Sequence, residues 1–350
     1  MRREGQIRVV IVDDSPTVRS LVRRLLQRDS ACQVVGEAGD GARGVELVTT
    51  LHPDVIVMDL DMPVLDGHAA IQQIAQRHPT PVLVLTAHPP ADQAASAFEA
   101  TRCGAVEVLA KPSEPEGWRQ LEHTLASMIR ALAEARRVPP AKAAAGRAAK
   151  KPVVPPLSRQ VRFIAVAAST GGPEATLQLL QPLPKPLPAA LLLVQHIAAG
   201  FEESLASWLA GKLGTDVAVA RDGEPAAPGR IRLAPPGAHL LLTADKTMHL
   251  DRDTPPRAGH RPSADELFLS CARTFPTVTA GVVLTGMGSD GALGLAELRR
   301  CGGLTMAQDQ ESSVVFGMPR AALESGAVEL SLPPAELGEL LARYLERSTS

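Results

Sequence analysis

Three residues of this 350-residue chain stand where an apolar run gives way to polar residues: Ser169 after FIAVAA, His196 after ALLLVQ, and Asp290 in GMGSDG, which follows GVVLT. A serine hydroxyl becomes a useful nucleophile only when a base lies within hydrogen-bond reach and a third group orients that base. In a parallel α/β sheet the carboxyl ends of the strands share one rim, so residues scattered along the chain can meet there. The order Ser…His…Asp would then serve acyl transfer, with the imidazole between hydroxyl and carboxylate. Of the nine histidines only His196 terminates a buried parallel-type strand; His239 and His249 fall in an antiparallel insertion and His260 in a loop. A backbone NH around Met287, with the hydroxyl or NH of Thr170, is the candidate pair of oxyanion donors.

Other readings compete for the same residues. Ser169 precedes a helix expected to begin near Pro173, where serine is most often a cap. Ser169-Thr170-Gly171-Gly172 could also cradle a phosphate at the helix N-terminus, although the P-loop lysine is missing. A strand-to-helix turn that lifts the serine oxygen is the third reading, but AASTG departs from G-x-S-x-G. Gly286, Gly288 and Gly291 spell G-x-G-x-x-G, with Asp309 placed as a ribose-binding acid would be. Against a dinucleotide site, Asp290 would put a negative charge where pyrophosphate should bind, and the motif comes late in the chain. A dinucleotide-binding oxidoreductase and a non-enzymatic binding module are the alternatives to a hydrolase.

A second constellation lies nearer the N-terminus. Asp13 and Asp14 end IRVVIV, Asp59 ends VIVM, Thr86 ends VLVL and Lys111 follows AVEVLA. Each aspartate alone could be a helix cap. Together, three converging carboxylates repel one another unless a cation is present, and oxygen ligands suit Mg²⁺. Asp59 could then attack a phosphoryl donor, Lys111 could hold a phosphate oxygen and Thr86 could report its arrival.

Both constellations need α/β scaffolds. Residues 7–136 alternate strand-like runs with amphipathic segments in five βα units, including a helical pattern over 91–104 and a final helix near 117–136. The stretch RVPPAKAAAGRAAKKPVVPPLSRQ, residues 137–160, has no acidic residue and almost nothing to fill a core, so it reads as a linker. Residues 161–346 resume the alternation, interrupted by RIRLAPP and HLLLTADKTMHLD, which look like antiparallel strands. The expected architecture is two doubly wound parallel sheets, one flavodoxin-like and one Rossmann-like with an antiparallel hairpin.

Composition excludes little else. With 36 Lys+Arg against 38 Asp+Glu, no electrostatic footprint for nucleic acid or an anionic membrane is present. The four cysteines are widely spaced, which suggests neither a zinc motif nor a disulfide framework and suits a reducing cytoplasm. MRREGQIRVV enters a strand without the apolar core of a signal peptide, and no apolar run is long enough to span a bilayer.

The set VDDSP, MDLDMPVLDG, VLTA and AKP resembles the receiver domain of two-component response regulators, and marks Asp59, three residues before Met62-Pro63, as the phosphoacceptor. Many receivers carry an aromatic switch three residues before the lysine, where this chain has Val108. FIAVAASTGGPEA, LLLVQH, RIRLAPPGAHLLL, RPSADELF, LTGMGSDGALGL and AQDQESSVVFGMP, in that order, resemble the methylesterase domain of the chemotaxis protein-glutamate methylesterase (CheB) family. The resemblance implies that Ser169, His196 and Asp290 form the triad, without a cofactor at the esterase site. It implies as substrate the glutamate γ-methyl esters of chemoreceptors, with deamidation of receptor glutamines beside it. It also implies a histidine kinase as phosphodonor, Mg²⁺ on Asp13, Asp14 and Asp59, and an unmodified receiver that covers the esterase crevice. About twenty residues of extended linker reach roughly 60 Å at most and would set the effective concentration of that docking. Deleting the receiver should therefore raise basal methanol release from methylated receptor; an unchanged rate would argue against occlusion.

Overall fold

The computed structural model describes residues 6–87, 99–100, 103–137 and 159–346. The chain divides into two compact units, Met1–Pro139 and Pro140–Ser350. The expected linker falls almost wholly outside the described residues, as does most of the helix expected over 91–104.

In the first unit, strands β1 (Ile7–Val12), β2 (Cys32–Ala38), β3 (Val55–Met58), β4 (Val82–Thr86) and β5 (Ala105–Ala110) form one parallel sheet in the order β2-β1-β3-β4-β5. β3 and β4 are buried along their whole length, as their unbroken apolar sequences require for strands covered on both faces. Helices α1 (Pro16–Gln27), α2 (Gly41–Leu51) and α3 (Gly67–Arg77) start where Ser15, Asp40 and Asp66 accept a backbone NH of the first turn. Helix α4 (Pro115–Arg137) closes the unit. Asp13, Asp59, Thr86 and Lys111 thus stand at or just beyond carboxyl ends of four strands of one sheet.

The second unit is built on a seven-stranded sheet. Its strands are β6 (Phe163–Ala168), β7 (Ala190–Gln195), β8 (Asp216–Val219), β9 (Arg230–Leu233), β12 (Thr279–Val283), β13 (Leu304–Gln308) and β14 (Leu330–Leu332), in the order β14-β13-β12-β6-β7-β9-β8. All pairings are parallel. β10 (His239–Leu242) and β11 (Met248–Asp251) make a separate antiparallel hairpin. The expectation that RIRLAPP is antiparallel is corrected here, because Arg230–Leu233 pairs parallel with both β7 and β8. Its direction is set by the return loop 220–229, held to the hairpin through Gly223 N to Met248 O and Met248 N to Glu224 O, 2.8 Å each. The short strands β13 and β14 were not anticipated.

The helices of this unit are α5 (Gly172–Leu180), α6 (Glu202–Leu213), α7 (Ala264–Thr274), α8 (Ala292–Arg300), α9 (Met318–Glu324) and α10 (Pro334–Glu346). β6 is central, and the chain leaves it first toward β7 and later returns to β12 on its other side. That reversal opens the crevice at the strand ends where ligands of such sheets bind. One apolar core runs from Phe163, Leu192 and Leu240 to Phe268, Leu295 and Met318. Among the described residues no helix is long and apolar enough to cross a membrane.

Helix α5, which follows the Ser169 turn, is backed by α10 at close range. A Cβ at Gly338 would collide with the Leu179 carbonyl oxygen, a backbone atom that cannot swing away. Gly338→Ala should lower the stability of this unit by about 1–3 kcal/mol, the usual cost of overpacking. Urea unfolding checks this, and an unchanged midpoint would show that the two helices separate freely.

Candidate active site

Ser169 follows β6 directly, and its backbone is fixed on three sides. Its NH donates to Thr285 O (3.0 Å), while its carbonyl accepts from Gly172 N (2.8 Å) and from Gln195 Nε2 (2.8 Å). The N-cap of α5 is Gly171, at φ +75°, and no side chain caps that helix, so Ser169 is not a cap. The left-handed turn is open to glycine for a second reason: a Cβ there would meet Val314 Cβ at 2.7 Å. The Ser169 side chain is half-buried and is not engaged by the helix that follows it.

His196 comes one rung beyond the paired residues Ala168 and Gln195, so it and Ser169 leave adjacent strands side by side. Its NH donates to Ala168 O at 2.9 Å. Nε2 lies 2.9 Å from Asp290 Oδ2, an ion-pair distance, with the ring turned off the line of a good hydrogen bond. Nδ1 is buried without a hydrogen-bond partner, and among the described residues Ser169 Oγ has no hydrogen bond to it. The structure therefore brings His196 to Asp290 and sets both beside Ser169, while the hydroxyl–imidazole bond is not formed.

Asp290 is 2% exposed and receives three donors from the start of α7: Ser263 Oγ on Oδ1 (2.7 Å), Ala264 N on Oδ2 (2.7 Å) and Asp265 N on Oδ1 (3.1 Å). Burial pushes its carboxyl up, yet the His196 ring, the Ala264 NH and the Ser263 hydroxyl outweigh it and hold the pKa at about 2. The charge expected to sit at its own helix, α8, is directed instead to the N-terminus of α7. The dinucleotide reading also loses its first amide, because Gly286 N is taken by Val315 O at 3.0 Å.

The surrounding loops are braced by residues that sequence reasoning missed. Thr285 Oγ1 donates to Thr170 O (2.9 Å) and accepts from Val315 N (3.0 Å), and Thr285 N donates to Gln308 Oε1 (2.7 Å). Thr170 Oγ1 is buried without a partner, while Met287 is half-buried beside exposed Gly288. Asp309 closes its own turn by accepting from Ser312 N (3.0 Å) and Oγ (2.5 Å). His239 is fully buried and accepts from Ser263 N at 3.2 Å, whereas His249 pairs with Asp222 at the surface. His260 is stacked on His196.

In the first unit, Lys111 Nζ lies 2.8 Å from Asp13 Oδ2 and 2.5 Å from Asp59 Oδ2. Burial raises the Asp59 carboxyl, and Lys111 opposes that rise. Burial would lower the Lys111 ammonium, but its two carboxylates outweigh it and the pKa is raised. Oxygens of Asp13, Asp14 and Asp59 lie within 4.8 Å of one another, which fits an oxygen-ligated divalent cation, and Lys111 already supplies positive charge to two of them. Thr86 is buried at the same rim, its carbonyl accepting Lys111 N at 2.7 Å, and Val108 is buried in β5.

Comparison with known proteins adds an independent line. Residues 164–341 match the CheB methylesterase family and residues 9–121 the response regulator receiver domain. The chain is 42% identical over 347 residues to a protein-glutamate methylesterase/protein-glutamine glutaminase of Anaeromyxobacter dehalogenans, covering 97% of this chain and 100% of the relative. A protein of the same description from Myxococcus xanthus is also 42% identical, over 97% of this chain and 94% of its own length. The crystal structure of the Thermotoga maritima CheB methylesterase catalytic domain is similar with a TM-score of 0.50 and 35% identity, covering 54% of this chain and 99% of the other.

The depressed Asp290 pKa carries a pH signature. Its stabilising effect is complete above the ordinary value of 3.8 and is lost as pH falls from there toward about 2. Ser263→Ala removes one donor and should cost about 1–3 kcal/mol at neutral pH. That deficit should narrow as pH drops through the same window, because the variant has less of the effect to lose. Chemical unfolding at several pH values checks it; a pH-independent deficit would mean that Ser263 acts by packing alone.

Proposed function

The chain belongs to the CheB methylesterase family, and from that premise we propose that it is a phosphorylation-regulated hydrolase of glutamate γ-methyl esters on chemoreceptors, with deamidation of receptor glutamines as a second activity. We assign residues 7–136 to the receiver, 137–160 to the linker and 161–346 to the methylesterase domain, working in the cytoplasm. The observation that carries the reading is the buried Asp290–His196 pair beside Ser169 on adjacent strand ends.

In this mechanism Ser169 Oγ attacks the ester carbonyl while the His196 nitrogen turned away from Asp290 takes its proton. Asp290 stays ionised, orients the ring and stabilises the imidazolium. The Thr170 hydroxyl or NH and an NH around Met287 are proposed to hold the oxyanion. His196 returns the proton to the departing methoxide, which leaves as methanol. Water, deprotonated by His196, then attacks the acyl-enzyme and releases glutamate and the serine. With a glutamine substrate the same steps expel ammonia.

Regulation begins at Asp59, the proposed acceptor of a phosphoryl group from a histidine kinase. Mg²⁺ held by Asp13, Asp14 and Asp59 would, when bound, neutralise the carboxylates and the incoming phosphoryl oxygens. Lys111 is set to move from carboxylate to phosphate, and Thr86 to bond a phosphoryl oxygen. The modification adds about 1.5 to 2 negative charges, enough to change a local packing equilibrium.

Ser169→Ala should abolish methanol release from methylated receptor while leaving circular dichroism unchanged; undiminished turnover would remove the serine mechanism. Asp290→Asn should reduce kcat strongly through the wrong histidine tautomer, and a negligible loss would point to a Ser–His dyad. Labelling of Ser169 by a serine-directed phosphonate, with no NAD(H) binding by fluorescence, separates this reading from an oxidoreductase.

A further inference from the structure

We propose that His260 is a positioning residue of the methylesterase, its ring lying flat on that of His196 and fixing the plane in which His196 works between Ser169 and Asp290. The inference rests on the reading of His196 as the base. The two ring centroids are 4.0 Å apart and the planes are inclined by only 6°. Neither nitrogen of His196 has a well-aligned hydrogen bond, so hydrogen bonding alone does not fix its ring plane. Torsion about the bond to an imidazole is soft and broad, so an unsupported ring turns easily. A flat neighbour leaves in-plane swing free and blocks tilting out of the plane.

The segment that carries His260 is itself held firmly. Arg257 N donates to His260 O (3.1 Å), His260 N donates to Arg257 O (2.9 Å), and Arg257 Nε bonds Glu266 Oε1 on α7 at 2.5 Å. A few residues on, Ser263, Ala264 and Asp265 supply the three donors to Asp290. One stretch, 257–266, thus sets both the ring plane of the base and the carboxylate that orients it.

The stack also acts on charge. His196 becomes an imidazolium in each half of the reaction, and a cation over a neutral aromatic face is attracted, whereas two stacked imidazoliums repel. The titratable groups that face His260 are His196 and Asp290; Arg257 meets it through the backbone, and the Arg261 guanidinium bonds the carbonyls of Arg252 and Thr254. Burial, followed by the neighbouring His196, pushes the His260 pKa down against the opposing pull of Asp290, which favours the uncharged ring. Protonating it at acid pH would oppose the imidazolium that catalysis requires.

The test uses the full-length protein and methanol release from methylated receptor. His260→Ala should lower kcat roughly ten- to a hundred-fold, the usual scale for a misplaced catalytic group, with KM and the melting temperature little changed. His260→Phe, planar and never charged, should recover most of kcat and remove one ionisation from the acid limb of the kcat/KM profile. Wild-type kcat in the folded alanine variant would overturn the proposal, as would a folded phenylalanine variant no better than alanine. Should the variants not fold, the unmodified protein still decides, because stacking must move the His196 ring protons upfield in NMR spectra; unshifted protons would overturn it. Ser169→Ala run in parallel separates the two ideas. If that variant is inactive while His260→Ala is fully active, only the role of His260 fails; if Ser169→Ala is itself active, the reading of His196 as base fails as well.

Discussion

A carboxylate removed from water must be matched by donors or become neutral, and Asp290 is matched by the start of α7. The three donors that keep it ionised also fix where its second oxygen points, and that oxygen faces His196. Removing the match would release more than an acid, because the same contacts tie the loop after β12 to α7 and bring the 257–266 stretch against His196. The candidate site is therefore built around one buried charge, and its neighbours are arranged to keep that charge both ionised and directed.

The receiver site solves a similar problem with an ammonium. Asp13 and Asp59 are both buried, and Lys111 stands between them within hydrogen-bond distance of each. Like charges this close are tolerated only with a cation in the middle. The balance is sensitive to any further anion added at Asp59, as the phosphorylation proposed above would add. Val108, three residues before Lys111, is buried in β5, and Thr86 is buried at the end of the adjacent strand.

Close backbone approach does the remaining work around Ser169. Gly317 lies so near the backbone of residues 286–288 that no side chain fits, and Gly286 packs directly on Ser169 Cβ. Gly286 O accepts both Gly317 N (3.0 Å) and Met318 N (2.9 Å), so the rim loop is locked to the start of α9. Gly286, the first glycine of the dinucleotide-like motif, serves here with Gly317 to let the loops around Ser169 converge. The Gly286 amide is engaged with Val315 O rather than waiting for pyrophosphate.

The sequence by itself determined the strand ends. Apolar runs that stop abruptly at Asp13, Asp59, Lys111, Ser169 and His196 can only be buried strands meeting a polar rim, and the Pro- and Lys-rich stretch after residue 137 cannot fill a core. Such patterns are local, and burial imposes them residue by residue. Tertiary structure alone decided what is not local: that RIRL runs parallel, that Asp290 serves α7 and not its own helix, that Thr285 and Gln308 brace the Ser169 turn, and that His260 lies on His196. Ser263 and Asp290 are 27 residues apart in the chain, and no periodicity in either segment announces their bond. A hydrogen bond or a ring stack depends on the final placement of two surfaces, which the hydrophobic pattern of each surface alone does not encode.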